Sequence, residues 1–329
     1  MTSSLLDSYN RKIDYMRISV TDRCNLRCIY CTSSRFQNLS HEDILRYEEI
    51  ERVVRAAAGL GVKSIRLTGG EPMVRPHIAT LIGMIAEVPG IEDISMTTNG
   101  TLLSRHGHAR EFKGAGLKRV NISLDTFKPE RFACICQEAR LENVLDGIEV
   151  AKEAGLDPVK INTVIMRGIN DDEILDFARK SITDSWHVRY IEEMPLTGQE
   201  NAQKMVSIND IQGAIETNLG KLEPAGHTKG NGPARYYRLP RAEGTIGFIG
   251  PVTHSFCDTC NRFRLTADGK LRPCLLRDDE VDIRAALRNG ASIAELQAMM
   301  LSAAHLKKEK HDLTEKVGAL ERQMWQIGG

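Results

Sequence analysis

From residue 17 to about 194, short β-branched runs alternate with segments whose apolar positions recur at helical spacing. Arg17–Val20, Ser64–Thr68, Asp93–Thr97, Arg119–Leu124, Val159–Met166 and His187–Glu192 read as strands. Tyr47–Leu60 reads as a helix, because Ile50, Val53, Val54, Ala57 and Leu60 fall on one stripe and Gly61 closes it. His77–Val88 and Leu141–Ala154 follow the same rule, the second closed by Gly155. Strands alternating with helices in this way call for a parallel sheet with right-handed crossovers.

Two parallel architectures compete. A doubly wound sheet carries a glycine fingerprint straight after its first strand, and here that place holds cysteines. Polar or glycine-rich motifs instead follow nearly every strand: Thr68-Gly69-Gly70-Glu71-Pro72, Thr97-Thr98-Asn99-Gly100 and Ser123-Leu124-Asp125. Chemistry gathered at all the strand C-termini is the mark of a barrel. Six βα units cannot close an eight-stranded one, so the expected fold class is α/β, a partial (βα)6 TIM-type barrel over residues 1–194. Residues 195–329 lose the alternation. They are expected to form a C-terminal α+β region that covers the opening.

The 329-residue chain is 41% apolar, enough for a large core, and has no uninterrupted apolar stretch of membrane-spanning length. Its 44 basic and 44 acidic residues cancel, so nothing in the overall charge points to nucleic acid or a membrane surface. The opening MTSSLLDSYNRK has no signal-peptide core, which predicts a cytoplasmic, reducing setting and argues against disulfides.

Cys24, Cys28 and Cys31 form C-x3-C-x2-C immediately after the first strand. Three thiolates on one short loop are too few for closed structural zinc, which takes four protein ligands. They suit a cubane iron–sulfur cluster whose fourth iron stays open for chemistry. Cys257, Cys260 and Cys274 make a second triplet, and here the residues leave two readings open. His254 completes a Cys3His zinc set, or a second cluster sits there.

Paired glycines in Thr68–Pro72 permit close backbone approach and positive φ; alone the motif is equally a plain βα turn. Arg17, Arg66, Lys160 and Arg189 lie on strands of a sheet that is normally buried on both faces. Ion pairs or an inward-facing anion site explain them, and four together favour the anion. Arg262-Phe263-Arg264 beside Cys260 suits a phosphate held near a metal. The final Gly328-Gly329 is either a loose end or a backbone thin enough to thread a cleft. Cys134 and Cys136 read as small packing residues, and Met194 alone reads as core.

Together these residues resemble the radical S-adenosylmethionine (radical SAM) superfamily, through Cys24-x3-Cys28-x-Tyr30-Cys31 and Gly69-Gly-Glu-Pro72. Within it the chain is similar to the GTP 3′,8-cyclase family, on Arg17-Ile-Ser-Val-Thr-Asp-Arg-Cys24, Leu67-Thr-Gly-Gly-Glu-Pro72, Val159-Lys-Ile-Asn-Thr-Val164, Gly232-Pro-Ala-Arg-Tyr-Tyr-Arg238, Cys257-Asp-Thr-Cys-Asn-Arg262 and the closing Gly-Gly. The similarity runs from about residue 11 to the C-terminus. It implies two [4Fe–4S] clusters at opposite ends of one barrel cavity, on Cys24, Cys28 and Cys31 and on Cys257, Cys260 and Cys274. Tyr30, Gly70, Ser123 and Met194 match positions that hold S-adenosylmethionine. Arg17, Arg66, Thr97, Lys160, Arg262, Phe263 and Arg264 match positions that contact GTP, with Arg189 a further cation of the same cavity. Gly328 and Gly329 match a tail that enters the barrel.

The resemblance implies that a 5′-deoxyadenosyl radical takes the 3′ hydrogen of GTP and that C3′ then adds to C8, the first step of molybdenum cofactor biosynthesis. It also implies an electron donor of unspecified identity and hand-over of product to cyclic pyranopterin monophosphate synthase, and it leaves room for a homodimer. The chain departs from the family where Thr32-Ser33-Ser34 replaces Met-Pro and an acidic residue, in Cys134–Arg140, and around Trp325. Two rivals belong to other classes: a peptide-maturing radical enzyme with an auxiliary cluster, and a zinc-stabilised binding module.

Overall fold

The structure is a computed structural model that describes residues 4–31, 38–137, 139–194, 205–226, 229–311 and 320–328. Strand β1 (Tyr15–Ser19) leads to α1 (Tyr47–Gly59), β2 (Ser64–Thr68), α2 (Ile78–Ala86), β3 (Asp93–Thr98), α3 (His108–Ala115) and β4 (Arg119–Ser123). There follow α4 (Pro129–Cys136), α5 (Leu141–Glu153), β5 (Val159–Ile165), α6 (Ile174–Thr183), β6 (His187–Glu192) and α7 (Ile208–Leu219). The last third adds β7 (Glu223–Pro224), β8 (Arg235–Arg238), β9 (Thr245–Ile249), β10 (Arg262–Leu265), β11 (Lys270–Arg272), β12 (Val281–Asp282), α8 (Ile283–Arg288), α9 (Ile293–His305) and α10 (Met324–Ile327).

All strands belong to one sheet of order β12-β11-β10-β1-β2-β3-β4-β5-β6-β9-β8-β7. The first six strands stand side by side in chain order without a reversal, which is the winding of a barrel and not of a doubly wound sheet. The last third does more than cover an opening. It adds β10 parallel to β1 on one flank and β9 parallel to β6 on the other, so eight adjacent strands run parallel. Residues from both flanks, Ile249 and Arg262, line the same cavity, and the loop from β9 to β10 runs between the two flanks.

Strand alternation sorts the side chains into two populations. Met16, Ile18, Ile65, Leu67, Met96, Val120, Ile122, Ile161, Val188 and Tyr190 face outward into the helix layer and are almost wholly buried. Arg17, Arg66, Thr97, Asn121, Ser123, Asn162 and Arg189 have the opposite parity, so the barrel interior is polar. The first strand begins at Tyr15, two residues before its apolar run suggests, because Tyr15 and Met16 pair with Arg262 and Phe263 of β10. Among the described residues no helix is long and apolar enough to cross a membrane.

Candidate active site

A cavity of about 250 Å³ opens at the strand C-termini. Register builds its floor: Arg17 lies beside Arg66 on one side and Arg264 on the other, and Tyr15 lies beside Arg262. Arg189 reaches in from β6, next to Asn162 of β5. Arg66, Arg189, Arg262 and Arg264 are all at least nine-tenths buried. Arg66 donates through Nε to Ser95 Oγ at 3.1 Å, and Arg17 donates to the carbonyl of Gly328 at 3.3 Å. Among the described residues no carboxylate pairs with Arg17, Arg66, Arg189 or Arg262, and Nε of Arg17, Arg189 and Arg262 has no hydrogen-bond partner. Arg119, deeper in the barrel, shows the contrast, because it is paired with Asp93. Burial, aided by Arg189 and Arg119 at Arg66 and by Arg262 at Arg264, pushes both down to about 10. Arg66, Arg189 and Arg262, buried with no carboxylate partner among the described residues, call for an anionic ligand.

The first cysteine loop begins where β1 ends. It is held by backbone contact with the loop after β2: Gly70 N–H donates to Thr21 O at 2.8 Å and Glu71 N–H donates to Arg23 O at 2.8 Å. A Cβ on Gly69 would lie 2.6 Å from Thr21 O, and one on Gly70 would strike the carbonyls of Asp22 and Arg23. The paired glycines are therefore required by the approach of one loop backbone to the other. The Glu71 carboxylate accepts from Thr98 Oγ1 at 2.7 Å and from Asn99 N–H at 2.7 Å, which ties the loop after β3 to the same platform. Tyr30 donates to Asp125 Oδ2 at 2.7 Å and joins this loop to the cavity, which both residues line. Burial, reinforced by Glu71, pushes Cys24 up to about 12, and burial also raises Cys31.

The second triplet lines the cavity directly. Cys257 opens a short 3-10 turn in the β9–β10 loop, Cys260 ends it, and Cys274 follows β11. Burial alone would raise Cys257, but hydrogen bonds from His311 and Ser255 outweigh it and bring the thiol down to about 7. Cys260 is lowered too: its burial is outweighed by Arg262 and Lys307. Arg11 Nη1 donates to the carbonyls of Cys257 at 2.7 Å and Glu309 at 2.9 Å, clamping the turn from outside. Among the described residues no three His, Cys, Asp or Glu side chains converge on one metal ion. His254 Nδ1 meets Thr253 Oγ1 at 3.0 Å. Three thiols surrounded by Arg11, Arg262, Lys307 and His311 fit an anionic cluster whose thiolates each bind a separate iron.

The Radical SAM superfamily model matches residues 18–180, and the Molybdenum Cofactor Synthesis C model matches residues 186–313. A GTP 3′,8-cyclase of Pelotomaculum thermopropionicum is 49% identical over 326 residues, 98% of this chain and 99% of its own length. The chain belongs to the GTP 3′,8-cyclase family. A second member, from Moorella thermoacetica, is 49% identical over 325 residues, with 98% and 99% covered. Among solved structures, Streptococcus suis SuiB bound to S-adenosylmethionine is similar with a TM-score of 0.63 at 15% identity, over 88% of this chain and 69% of that one. SuiB bound to its precursor peptide SuiA gives 0.64 at 14%, over 97% and 77%. At that identity the likeness is one of fold.

Against the positions expected for a GTP 3′,8-cyclase, Arg17, Tyr30, Arg66, Thr97, Ser123, Arg189, Met194, Cys257, Cys260, Arg262, Arg264 and Cys274 all line the one cavity. Cys24, Cys28, Cys31 and Gly70 do not line it, and neither do two expected GTP contacts. Phe263 has outward parity, pairs with Met16 and is fully buried in the core, so its side chain leaves the substrate set. Lys160 points inward but lies one layer deeper than Asn162, where its ammonium donates to the carbonyl of Lys229 at 2.6 Å and to Tyr236 Oη at 3.0 Å. Gly70 acts as a backbone platform behind the first triplet. Gly328 is buried against β1 and β2; Gly329 and the Thr32–Ser34 departure lie outside the described residues. Cys134 is exposed on α4, correcting its reading as a packing residue, while Cys136 is buried beside Cys28. Sequence reasoning missed Tyr15, Asp125, Asn162 and Arg11. The strand parity that puts Arg17 inside also puts Tyr15 there, so that signal was present; nothing local marks Arg11.

Proposed function

We propose that this chain cyclises GTP to 3′,8-cyclo-7,8-dihydroguanosine triphosphate with S-adenosylmethionine, opening molybdenum cofactor biosynthesis. It is a radical SAM enzyme, a GTP 3′,8-cyclase in activity, and its relatives at 49% identity over the full chain set the peptide-maturing alternative aside. S-Adenosylmethionine on a [4Fe–4S] cluster supplies a 5′-deoxyadenosyl radical when reduced, which carries the hard step.

The observation that carries the substrate reading is that Arg66, Arg189 and Arg262 are buried around one cavity with no carboxylate partner among the described residues. In this reading Arg17, Arg66, Arg189, Arg262 and Arg264 take the triphosphate, with Thr97 beside them and Lys160 supporting from below. Cys24, Cys28 and Cys31 hold the first cluster, and Tyr30, Gly70, Ser123 and Met194 shape the S-adenosylmethionine end. Cys257, Cys260 and Cys274 hold a second [4Fe–4S] cluster that anchors the guanine, and the tail at Gly328, held by Arg17, closes the cavity. Hydrogen-atom abstraction requires no acid–base pair, so these residues serve by fixing the ribose and excluding water. The division at residue 194 into a barrel and an auxiliary-cluster region is supported by the separate family matches, although the sheet runs on across it. An external one-electron donor, a reducing cytoplasmic setting that keeps the thiolates intact, and product transfer to cyclic pyranopterin monophosphate synthase complete the proposal.

The test is anaerobic incubation with GTP, S-adenosylmethionine and dithionite. The product loses a hydrogen at C3′ and gains an electron and a proton, so it is an isomer of GTP. Chromatography with mass analysis should show a new species of GTP mass together with 5′-deoxyadenosine and methionine. Cleavage of S-adenosylmethionine with GTP left unaltered would reject the substrate.

A further inference from the structure

Lys307 lies just past α9 and is only 3% exposed. Its ammonium donates to Cys260 Sγ at 3.3 Å, to the carbonyl of Arg262 at 3.2 Å and to the carbonyl of Pro273 at 2.6 Å. These acceptors come from two separate arms of the chain: the end of the β9–β10 loop with the start of β10, and the segment after β11 that carries Cys274. A lysine buried this deeply needs a counter-charge. None of its three partners is a carboxylate, and the sulfur of Cys260 is the one among them able to carry negative charge. The same stretch is locked from the other side, because Arg11 donates to the carbonyls of Lys308 at 2.6 Å, Glu309 at 2.9 Å and Cys257 at 2.7 Å.

We propose that Lys307 is a positioning residue of the second metal site: it clips the Cys260 and Cys274 arms together and lends the Cys260 thiolate a charge-assisted hydrogen bond that raises the potential of the cluster it ligates. The proposal rests on the reading that this triplet holds an iron–sulfur cluster. Hydrogen bonds to cluster sulfurs and nearby positive charge favour the reduced, more negative state, so removing them lowers the potential. A lysine serving the fold alone would leave the potential where it is.

The experiment uses the full chain carrying Cys24→Ala, Cys28→Ala and Cys31→Ala, so that iron reports on the second triplet alone. This parent is reconstituted anaerobically with iron and sulfide, and iron content and midpoint potential are measured. Lys307→Gln keeps N–H donors without the charge, and Lys307→Arg keeps both. The expected result is cluster uptake in both variants, a lower potential for Lys307→Gln, and a potential near the parent for Lys307→Arg. Lys307→Met should bind less iron, because the clip between the two arms is gone. Iron-loaded Gln and Met variants with the parent's potential would overturn the assignment while leaving the cluster reading intact. A parent that takes up no iron would overturn the cluster reading, and this assignment with it.

Discussion

Arg17 donates through Nη2 to the carbonyl oxygen of Gly328, 3.3 Å away, so the penultimate residue of the chain sits on the first strand of the barrel. Gly328 has φ +82°, and a Cβ there would lie 2.5 Å from Thr68 Oγ1 and 3.0 Å from Ser19 Cβ. The tail thus occupies the junction of β1 and β2 directly behind the first cysteine loop, and the backbone of Trp325 hydrogen-bonds Cys31. Glycine meets both the conformation and the space.

Gly328→Val should fold and load iron yet lose cyclisation, since any side chain must push Thr68 or Ser19 aside. Deleting Gly328 and Gly329 should do the same. Nucleotide product and iron content, measured on one preparation, decide it; a truncated chain that turns over GTP at the wild-type rate would end the argument for the tail.

Replacing Arg17, Arg66 or Arg262 by Ala should weaken GTP binding by about 1.5–3 kcal/mol, the scale of a charge-assisted hydrogen bond. S-Adenosylmethionine binding should hardly move. Titration calorimetry under anaerobic conditions reads both ligands, and equal losses for the two would point to a structural role for the arginines.

The two triplets should load separately. Wild type should hold about eight irons per chain, and Cys28→Ser or Cys260→Ser about four each. Cys28→Ser should make no 5′-deoxyadenosine, whereas Cys260→Ser should keep unproductive cleavage of S-adenosylmethionine without cyclisation. Unimpaired GTP turnover in Cys260→Ser would contradict the anchoring role.

Thiol ionisation should distinguish the triplets by pH. Cys257, at about 7, is half thiolate in neutral solution, while Cys24, at about 12, remains a thiol. Thiolate is the reactive form and its fraction rises with pH through the pKa. In metal-free protein, alkylation mapped by mass spectrometry should label Cys257 with a midpoint near pH 7 and leave Cys24 protected well above that. Earlier labelling of Cys24 would reverse the order.

Gly70→Ala should damage the first site alone. Its Cβ meets backbone carbonyls of Asp22 and Arg23, which cannot swing away as a side chain can, so the Cys24 loop must move. Iron should fall by about half, to one cluster's complement, with the second triplet still loaded. Full iron with normal S-adenosylmethionine affinity would show that the platform tolerates the methyl group.

Much of this protein is written in short stretches of chain. The six strands, the helices between them and the two cysteine triplets are local patterns, because side-chain period and ligand spacing are set within a few residues. Arg17 and Arg66 announced a polar interior for the same reason: a charge on a buried parallel strand contradicts its setting unless something meets it. What the chain could not disclose locally is which distant strands become neighbours. Pairing of β10 with β1 starts the barrel at Tyr15, turns Phe263 into the core and sets Arg264 beside Arg17. The depth of Lys160, the entry of Gly328 and the closing of Arg11 and Lys307 on the second triplet join segments far apart in sequence. Such contacts arise from one register and one closure of the whole sheet, so only the tertiary structure decides them.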